Sequence, residues 1–279
     1  HVCLIRNGEL VYAIAEERLS RLKTDSGFPI RALKKLITDT GISGSDIDYV
    51  AFSSSSKGIW SNVVKKHAQF SISDWVDECE EYWKPVLLEN KLGVSRFDHL
   101  NGYVKRKNID LSKDLYGDLF KKVQLCDEDH WEQLGWETRT NIVMEVLGIS
   151  EDQCVSFRHE DSHKAYGYFT SPLYTRQKKA LVFTLEGGGD DSSATCSIVE
   201  PDGNITELWA SNEVMIGRLY AYITLVLGMK PGQHEYKVMG LAPYGNQDYV
   251  NGPLEVFRAI NGIDGSKIVN LKKYPDLYF

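Results

Sequence analysis

Residues 180–199 read ALVFTLEGGGDDSSATCSIV. The first six positions combine large apolar and β-branched residues, which is typical of a buried strand, and they run directly into a loop with three consecutive glycines. A second strand is predicted over 194–199. The sequence PDGN at 201–204 is typical of a tight turn and precedes a third predicted strand over 205–210. The order of strand, glycine loop, strand, turn and strand predicts a compact β unit.

The beginning of the chain carries a similar pattern. Strands are predicted over 2–5 and 10–15, and Asn7-Gly8 between them favours a type I′ turn. A helix follows, which Gly41 ends. The two β units lie about 195 residues apart, a spacing that favours two duplicated lobes. We therefore expect an α/β protein whose first lobe lacks its leading strand and loop.

The middle of the chain, residues 60–148, forms amphipathic stretches with helical spacing. Five of the six tryptophans lie in it: Trp60, Trp75, Trp83, Trp131 and Trp136. These rings either pack between helices or line a cleft for a bulky acceptor. The predicted division is a first lobe at 1–59, a helical Trp-rich insertion at 60–148, and the histidine segment with the start of a second lobe at 149–279.

Composition limits the classes of protein that fit this chain. With 279 residues, 42 % of them hydrophobic, it can bury a large core and is neither disordered nor fibrous. The formal net charge of −7 disfavours nucleic acid as a partner, because phosphate binding relies on basic surfaces. No apolar run approaches the roughly 20 residues that cross a bilayer, and the cysteines are scattered with no C-x-x-C pair. We expect a soluble, cytoplasmic protein without a membrane partner.

The glycine loop allows two interpretations. The backbone N–H groups of Gly187, Gly188 and Gly189 are unobstructed, and Asp190 with the polar residues after it can hold a phosphate, a hydroxyl or a metal ion. Glycines between strands are also a common tight connection. The loop is not a P-loop, because no Gly-Lys-Ser/Thr follows, and not a dinucleotide fingerprint, because a strand follows rather than a helix. Its setting suits a hairpin that wraps a phosphate.

A second motif is His159-Glu160-Asp161-Ser162-His163. On a helix, the two histidines at i and i+4 share one face and are close enough to bind one divalent ion. The motif also reads H-E-x-x-H, the signature of zinc hydrolases in which Glu160 would be the general base. A pair of surface histidines beside two carboxylates is the third interpretation. The residues alone leave all three open.

The densest stretch of motifs covers residues 217–245. It contains a helix with an apolar face, ended by Gly228, and then KPGQHEYKVMGLAPYG at 230–245. Glu235 and Lys237 either present an acid and an ammonium group to a charged substrate or form an exposed ion pair in a turn.

This stretch resembles the nodulation-type O-carbamoyltransferases, a family that includes tobramycin and cephalosporin carbamoyltransferases. The similarity rests on Gly-Arg-Leu-Tyr at 217–220, Lys-Pro-Gly at 230–232 and E-x-KVMGLAPYG at 235–245. Residues 10–29, with AEERLSRLK and GFP, resemble the N-terminal signature of the family. The histidine pair and the strand with its glycine loop follow in the family order.

The resemblance implies an actin-like, sugar-kinase-type fold of the ribonuclease-H-like class, with duplicated lobes, a helical insertion and an incomplete second lobe. In the family, an activating domain further along the chain makes carbamoyl adenylate from carbamoyl phosphate and ATP. The actin-like domain then transfers the carbamoyl group to an acceptor hydroxyl. We expect this chain to be a fragment that holds the transferring domain and is inactive alone. A nucleotide-binding actin-like module without catalysis is the alternative.

The resemblance also implies roles for individual residues. His159 and His163 correspond to ligands of a divalent ion, expected to be iron, which would act as a Lewis acid. The positions that correspond to the nucleotide phosphate site are Gly187, Gly188, Gly189 and Asp190. The signature positions near the cleft, which we interpret as catalytic, are Arg18, Lys23, Glu235 and Lys237. The chain departs from the family at Glu186, where aspartate is usual, and at the two acidic residues between the histidines.

Overall fold

A computed structural model describes the chain over residues 1–25, 27–54, 59–83, 85, 96–113, 115, 117–123, 130–187, 189–212, 214, 216–264 and 267–270. It is a mixed α/β structure of helices and small sheets, as the sequence predicts. The chain divides into two compact units, one formed by His1–Phe70 with Ser95–Ser156 and the other by Ser71–Val94 with Phe157–Phe279. The actin-like duplication and the domain boundaries at 59/60 and 148/149 stay predictions.

The strands of the described ranges are β1 (Val2–Arg6), β2 (Glu9–Ile14), β3 (Val50–Phe52), β4 (Cys154–Ser156), β5 (Ala180–Leu185), β6 (Ala194–Val199), β7 (Ile205–Ser211), β8 (Asn261–Asp264) and β9 (Lys267–Asn270). The α-helices are α1 (Glu16–Ser20), α2 (Ile30–Thr40), α3 (Ile59–His67), α4 (Ile72–Glu78), α5 (Arg96–Arg106), α6 (Gly117–Val123), α7 (Trp131–Leu147), α8 (His159–Phe169), α9 (Pro172–Thr175), α10 (Ile216–Val226), α11 (Glu235–Leu241) and α12 (Asn251–Ile260). Short 3-10 turns lie at Gly44–Asp46, Leu111–Lys113, Glu151–Gln153, Ala242–Tyr244 and Gln247–Tyr249, and a π-helical turn lies at Cys79–Trp83. None of the helices in these ranges has the length and apolarity that a membrane span needs.

The first unit begins with an antiparallel hairpin. β1 pairs with β2, with Val2 opposite Ile14. Asn7 and Gly8 in the turn have φ of 53° and 82°, the left-handed values that a type I′ turn requires. The predicted hairpin is confirmed.

α2 packs against this hairpin. Leu36 on its inner face is buried, and Gly41, with φ of 67°, ends the helix as predicted. The buried carboxylate of Glu16 in α1 accepts a hydrogen bond of 2.7 Å from the N–H of Ala32, which satisfies one of the donors at the start of α2. α1 and α2 are therefore joined through a buried charge.

A parallel strand pair forms the second sheet of this unit, with Val50 of β3 opposite Cys154 of β4. Trp136 of α7 packs edge-on against Phe52 of β3, with ring centroids 5.6 Å apart. The guanidinium of Arg139 lies 4.6 Å from the centre of the Phe52 ring. Core packing, one of the two interpretations of the tryptophans, thus holds for Trp136.

The second unit contains the three-stranded antiparallel sheet β5–β6–β7, whose first two strands occupy the predicted positions. α8 packs against β5 and β6. Thr184 and Thr195 share a hydrogen bond of 2.7 Å across these strands. On the opposite face of β5, the alternate residues Leu181, Phe183 and Leu185 are 55, 53 and 46 % exposed. We call these three side chains the β5 row.

Each unit has its own apolar core. In the first unit, a core cluster joins the end of α7 to β4: Val143, Ile149 and Cys154. In the second unit, a core cluster lies on the sheet: Ala194, Cys196, Trp209 and Val214.

Candidate functional site

The histidine pair occupies the first two turns of α8. Arg158 precedes the helix in an extended conformation, with φ of −60° and ψ of 145°. Because they are four residues apart on the helix, His159 and His163 lie one turn apart, and their Nε2 atoms are 3.0 Å from each other. The prediction that both histidines share one helix face is confirmed.

Glu186, at the end of β5, completes the cluster. Its carboxylate oxygens lie 3.2 Å from Nε2 of His163 and 3.7 Å from Nε2 of His159. One ligand atom from each of the three residues falls within 4.8 Å of the others. Two donors that bind one ion at about 2.1 Å lie roughly 3.0–3.4 Å apart at bond angles of about 90–110°. The distances of 3.0 Å between the two histidines and 3.2 Å between Glu186 and His163 fall in this range, whereas the 3.7 Å between Glu186 and His159 slightly exceeds it. The cluster thus approaches the spacing of a shared divalent ion.

The donor set consists of two imidazoles and one carboxylate. This set is typical of non-haem iron(II) sites and occurs also with zinc. His163 is exposed, whereas His159 and Glu186 are partly buried, so an ion held here is reachable by ligands from solvent. From the sequence, Glu186 stood out only as a departure from aspartate. Its approach to the histidines depends on how β5 packs beside α8.

Two reciprocal contacts tie the glycine loop to α8. Oδ2 of Asp190 accepts a hydrogen bond of 2.8 Å from the N–H of His159 and caps the helix. In the other direction, Oε1 of Glu160 accepts hydrogen bonds from the N–H groups of Asp191 at 2.8 Å and Ser192 at 2.5 Å. We call these contacts the Glu160–Asp190 clasp.

The surroundings of Glu160 bear on the zinc-hydrolase interpretation. The side chain is fully buried, at 0 % exposure. Burial opposes its ionisation, but backbone N–H donors, those of Ser192 and Asp191 among them, outweigh that cost and lower the pKa of the carboxyl group. A general base must reach the water or substrate that it deprotonates, whereas this carboxylate is enclosed and bonded to the loop. The geometry disfavours Glu160 as the base of a hydrolase.

Gly189 and Gly217 lie where other atoms approach too closely for a side chain. A Cβ at Gly189 would lie 2.2 Å from a loop carbonyl oxygen and 2.6 Å from Oε1 of Glu160. A Cβ at Gly217, in the first turn of α10, would lie 2.7 Å from the backbone nitrogen of Gly187. Neither position has room for a side chain. Gly188 lies outside the described residues.

Arg218 joins α10 to the loop. Its Nε donates a hydrogen bond of 2.5 Å to the carbonyl oxygen of Gly187. The Gly-Arg pair of the Gly-Arg-Leu-Tyr motif is thus the partner of the glycine loop. The sequence motif marked these residues but gave no role, because the role arises from a contact between distant segments.

A charged cluster holds α8 against β7. Lys164 is fully buried, and its Nζ donates to Asp161 at 2.9 Å and to Glu207 of β7 at 2.8 Å. Arg158 makes a two-point contact with Asp161, at 2.8 and 3.0 Å. Burial opposes ionisation of Asp161, but hydrogen bonds from Arg158 and Lys164 outweigh it and lower the pKa of the carboxyl group. Two cations and two carboxylates thus anchor the helix that bears the histidines.

The residues interpreted as catalytic lie in both units. Oε1 of Glu235 accepts a hydrogen bond of 2.5 Å from the N–H of Gly232 and so orders the turn before α11, while Lys237 is exposed on that helix. In the first unit, Arg18 in α1 and Lys23 in the turn after it are exposed. Their catalytic roles stay predictions.

Comparison with known proteins places these motifs in a family. A model described as the carbamoyltransferase N-terminus matches residues 1–262. The chain is 28 % identical over 255 residues to an uncharacterized protein of Synechocystis, which covers 89 % of this chain and 33 % of that protein. It is 25 % identical over 250 residues to the nodulation protein NolNO of Sinorhizobium fredii, covering 87 % of this chain and 27 % of that protein.

A third relative, an uncharacterized protein of Methanocaldococcus jannaschii, is 41 % identical over 97 residues, or 34 % of this chain and 18 % of that protein. The chain thus spans about a third or less of the length of these relatives. The family match includes the histidine pair, the glycine loop and the motifs that follow them. This chain belongs to the carbamoyltransferase N-terminus family.

Proposed function

We propose that this chain is the domain of a carbamoyltransferase that moves a carbamoyl group from carbamoyl adenylate to a hydroxyl of a small-molecule acceptor, such as a natural product or a sugar. Membership of the family supports carbamoyl transfer. The observation that carries the assignment of the site is the cluster of His159, His163 and Glu186 beside the glycine loop. A divalent ion and a nucleotide phosphate fit these neighbouring features.

The proposed transfer step makes and breaks one bond at the carbamoyl carbon. The acceptor oxygen bonds to this carbon, and the bond from the carbon to the phosphate oxygen of AMP breaks. AMP leaves with the electron pair, and the hydroxyl proton passes to a base. His159, His163 and Glu186 would hold a divalent ion, which we propose to be iron(II), and this ion would supply Lewis acidity. Carbamoyl adenylate is proposed to come from carbamoyl phosphate, ATP and one water in an activating domain of the full-length chain, with release of inorganic phosphate and pyrophosphate.

The remaining roles follow from charge and position. The backbone around Gly187 and Gly189 is proposed to receive the AMP phosphate, with Asp190 fixing the loop. The exposed cations at Arg18, Lys23 and Lys237 are proposed to bind phosphate oxygens. Glu235 orders the turn that presents Lys237.

We also propose the actin-like duplication for the fold. The hairpin β1–β2 followed by α2, and the sheet β5–β7 followed by α10, support it by their matching order. We place the protein in the cytoplasm, where its proposed substrate ATP is available.

The test uses the full-length protein with carbamoyl phosphate, ATP and a panel of hydroxyl acceptors. We expect pyrophosphate release that requires both substrates, followed by AMP and a carbamoylated product when an acceptor is added. Replacing His159 and His163 together by Ala should abolish transfer but leave pyrophosphate release by the activating domain. ATP binding without pyrophosphate release contradicts the proposal and favours a non-catalytic nucleotide-binding module.

A further inference from the structure

Glu160 stands in an unusual position for a residue between two metal-binding histidines. It is one residue from His159 and three from His163, yet its carboxylate is turned into the protein and is fully buried. Both of its hydrogen bonds from the loop come from consecutive N–H groups, those of Asp191 and Ser192. Glu160 therefore belongs to the helix of the ion site by sequence and to the glycine loop by contact.

The glycine loop also contacts the helix through one of its own side chains. Asp190 caps α8 at His159, the residue that begins the helix and bears one of the imidazoles. The loop also passes so near Glu160 that no side chain fits at Gly189. The same loop begins at Glu186, which faces both histidines. Helix and loop thus hold each other through contacts in both directions.

We propose that Glu160 is a positioning residue whose buried carboxylate fixes the glycine loop to the helix of the histidine pair, so that ion binding and loop conformation depend on each other. An ion at the histidines orders the first turn of α8, and the Glu160–Asp190 clasp passes this order to the loop. By linkage, a loop held in its bound conformation strengthens ion binding. The use of the loop as a phosphate site rests on the proposed function, whereas the physical link between helix and loop does not.

The experiment measures amide hydrogen exchange in loop peptides covering residues 186–195, with and without Co²⁺. In the unchanged chain, we expect Co²⁺ to slow exchange at the N–H groups of Asp191 and Ser192. In Glu160→Ala, these N–H groups lose a charged acceptor and should exchange about tenfold faster or more. Co²⁺ should still bind the histidines, but it should no longer slow exchange in the loop.

Two further variants separate positioning from general destabilisation. Glu160→Gln keeps an oxygen that accepts both N–H groups and should restore the response to Co²⁺. Tyr166→Ala, at an exposed position of the same helix, should leave exchange and its response to Co²⁺ unchanged. If Glu160→Ala does not fold, Asp190→Ala breaks the other half of the clasp and should also remove the response.

Three results would overturn the proposal: a loop that does not respond to Co²⁺ in the unchanged chain, a normal response in Glu160→Ala, or no restoration by Glu160→Gln. None of these measurements requires catalysis. A protein that fails to transfer carbamoyl groups but shows the expected exchange pattern would contradict the proposed function and leave the role of Glu160 in place.

Discussion

Glu186 contributes a carboxylate to the histidine cluster. The resemblance places aspartate at this position, and the longer glutamate brings both of its carboxylate oxygens within 3.7 Å of histidine Nε2 atoms. The carboxylate of Glu186 is thus a third donor beside the histidine pair. It gives this chain a set of three ligands within the described part of the second unit.

Removal of these donors should weaken metal binding in steps. We expect Glu186→Gln to lower Co²⁺ affinity by about tenfold or more, because an amide oxygen is a neutral and weaker donor. His159→Ala combined with His163→Ala should abolish stoichiometric binding. Titration followed by the visible absorption of bound Co²⁺ measures both. Unchanged affinity in Glu186→Gln would remove this residue from the ligand set, and retention of metal in the double variant would remove the histidines.

The sequence predicted the histidine pair but not its third partner. His159 and His163 are four positions apart, so helical spacing alone places them together. Glu186 and Glu160 act through contacts with segments more than 20 residues away, which no local pattern encodes. Glu160 and Asp161 illustrate this limit, because they are adjacent acidic residues with different partners. Glu160 contacts the glycine loop, whereas Asp161 contacts Arg158 and Lys164.

At the scale of elements, α8 is held by buried charge as well as by apolar contact. Lys164 is enclosed between Asp161 of its own helix and Glu207 of β7. Loss of Lys164 leaves Asp161 and Glu207 with Arg158 as their cation, and the loss of a buried partner costs more than the loss of an exposed pair. The helix that bears the histidines thus depends on Lys164 for its place on the sheet.

Lys164→Met should therefore destabilise the chain. We expect a loss of about 2–3 kcal/mol in the free energy of unfolding, below the full value for buried pairs because Asp161 and Glu207 are partly exposed. Urea denaturation measures the difference. The matched control is Lys179→Met, which removes a lysine 3.8 Å from Glu200 on the surface and should cost less than about 1 kcal/mol. Equal effects of the two changes would contradict the role of Lys164.

The elements that the sequence predicted best are those with local signals. Strands β5 and β6 lie at the predicted residues, and α2 ends at Gly41 because that glycine adopts a left-handed φ. The packing of Trp136 against Phe52 needed the structure, since helical spacing fits both a core and a cleft. The pairing of β3 with β4 joins segments about 100 residues apart, and a pattern of neighbouring residues contains no information on it.

At the scale of the whole molecule, acid sensitivity follows from carboxyl groups with lowered pKa values, which include Glu160 and Asp161 of the second unit and three aspartates of the first. Burial opposes ionisation of Asp25, but hydrogen bonds outweigh this effect and lower the pKa of its carboxyl group. The hydrogen bond from Lys66 contributes most to the lowering. Hydrogen bonds from Lys35 and a tyrosine hydroxyl lower the pKa of Asp39. The backbone N–H and the hydroxyl group of Ser43 donate hydrogen bonds that lower the pKa of Asp46. All three are therefore more acidic in the folded chain than at the ordinary value of 3.8.

Lowered pKa values favour the folded chain above pH 3.8, and this contribution is lost as the pH falls through the folded values. We expect the urea midpoint to be steady from pH 7 to about 5 and to decline below about pH 4. Asp39→Asn removes one titrating group and should flatten the decline. A midpoint that does not change between pH 6 and pH 3 would contradict this account.

The β5 row is one of the exposed apolar surfaces that affect the colloidal behaviour of the chain. Leu181, Phe183 and Leu185 form an exposed apolar row on a strand at the edge of its sheet. Such a surface promotes association between copies of the chain when electrostatic repulsion is weak. At pH 7 the net charge of −7 keeps copies apart, but near the isoelectric point of about 5.6 this repulsion vanishes. High salt screens the same repulsion and strengthens contact between apolar rows. Dilute, mildly alkaline and low-salt solutions are therefore the conditions under which this chain stays dispersed.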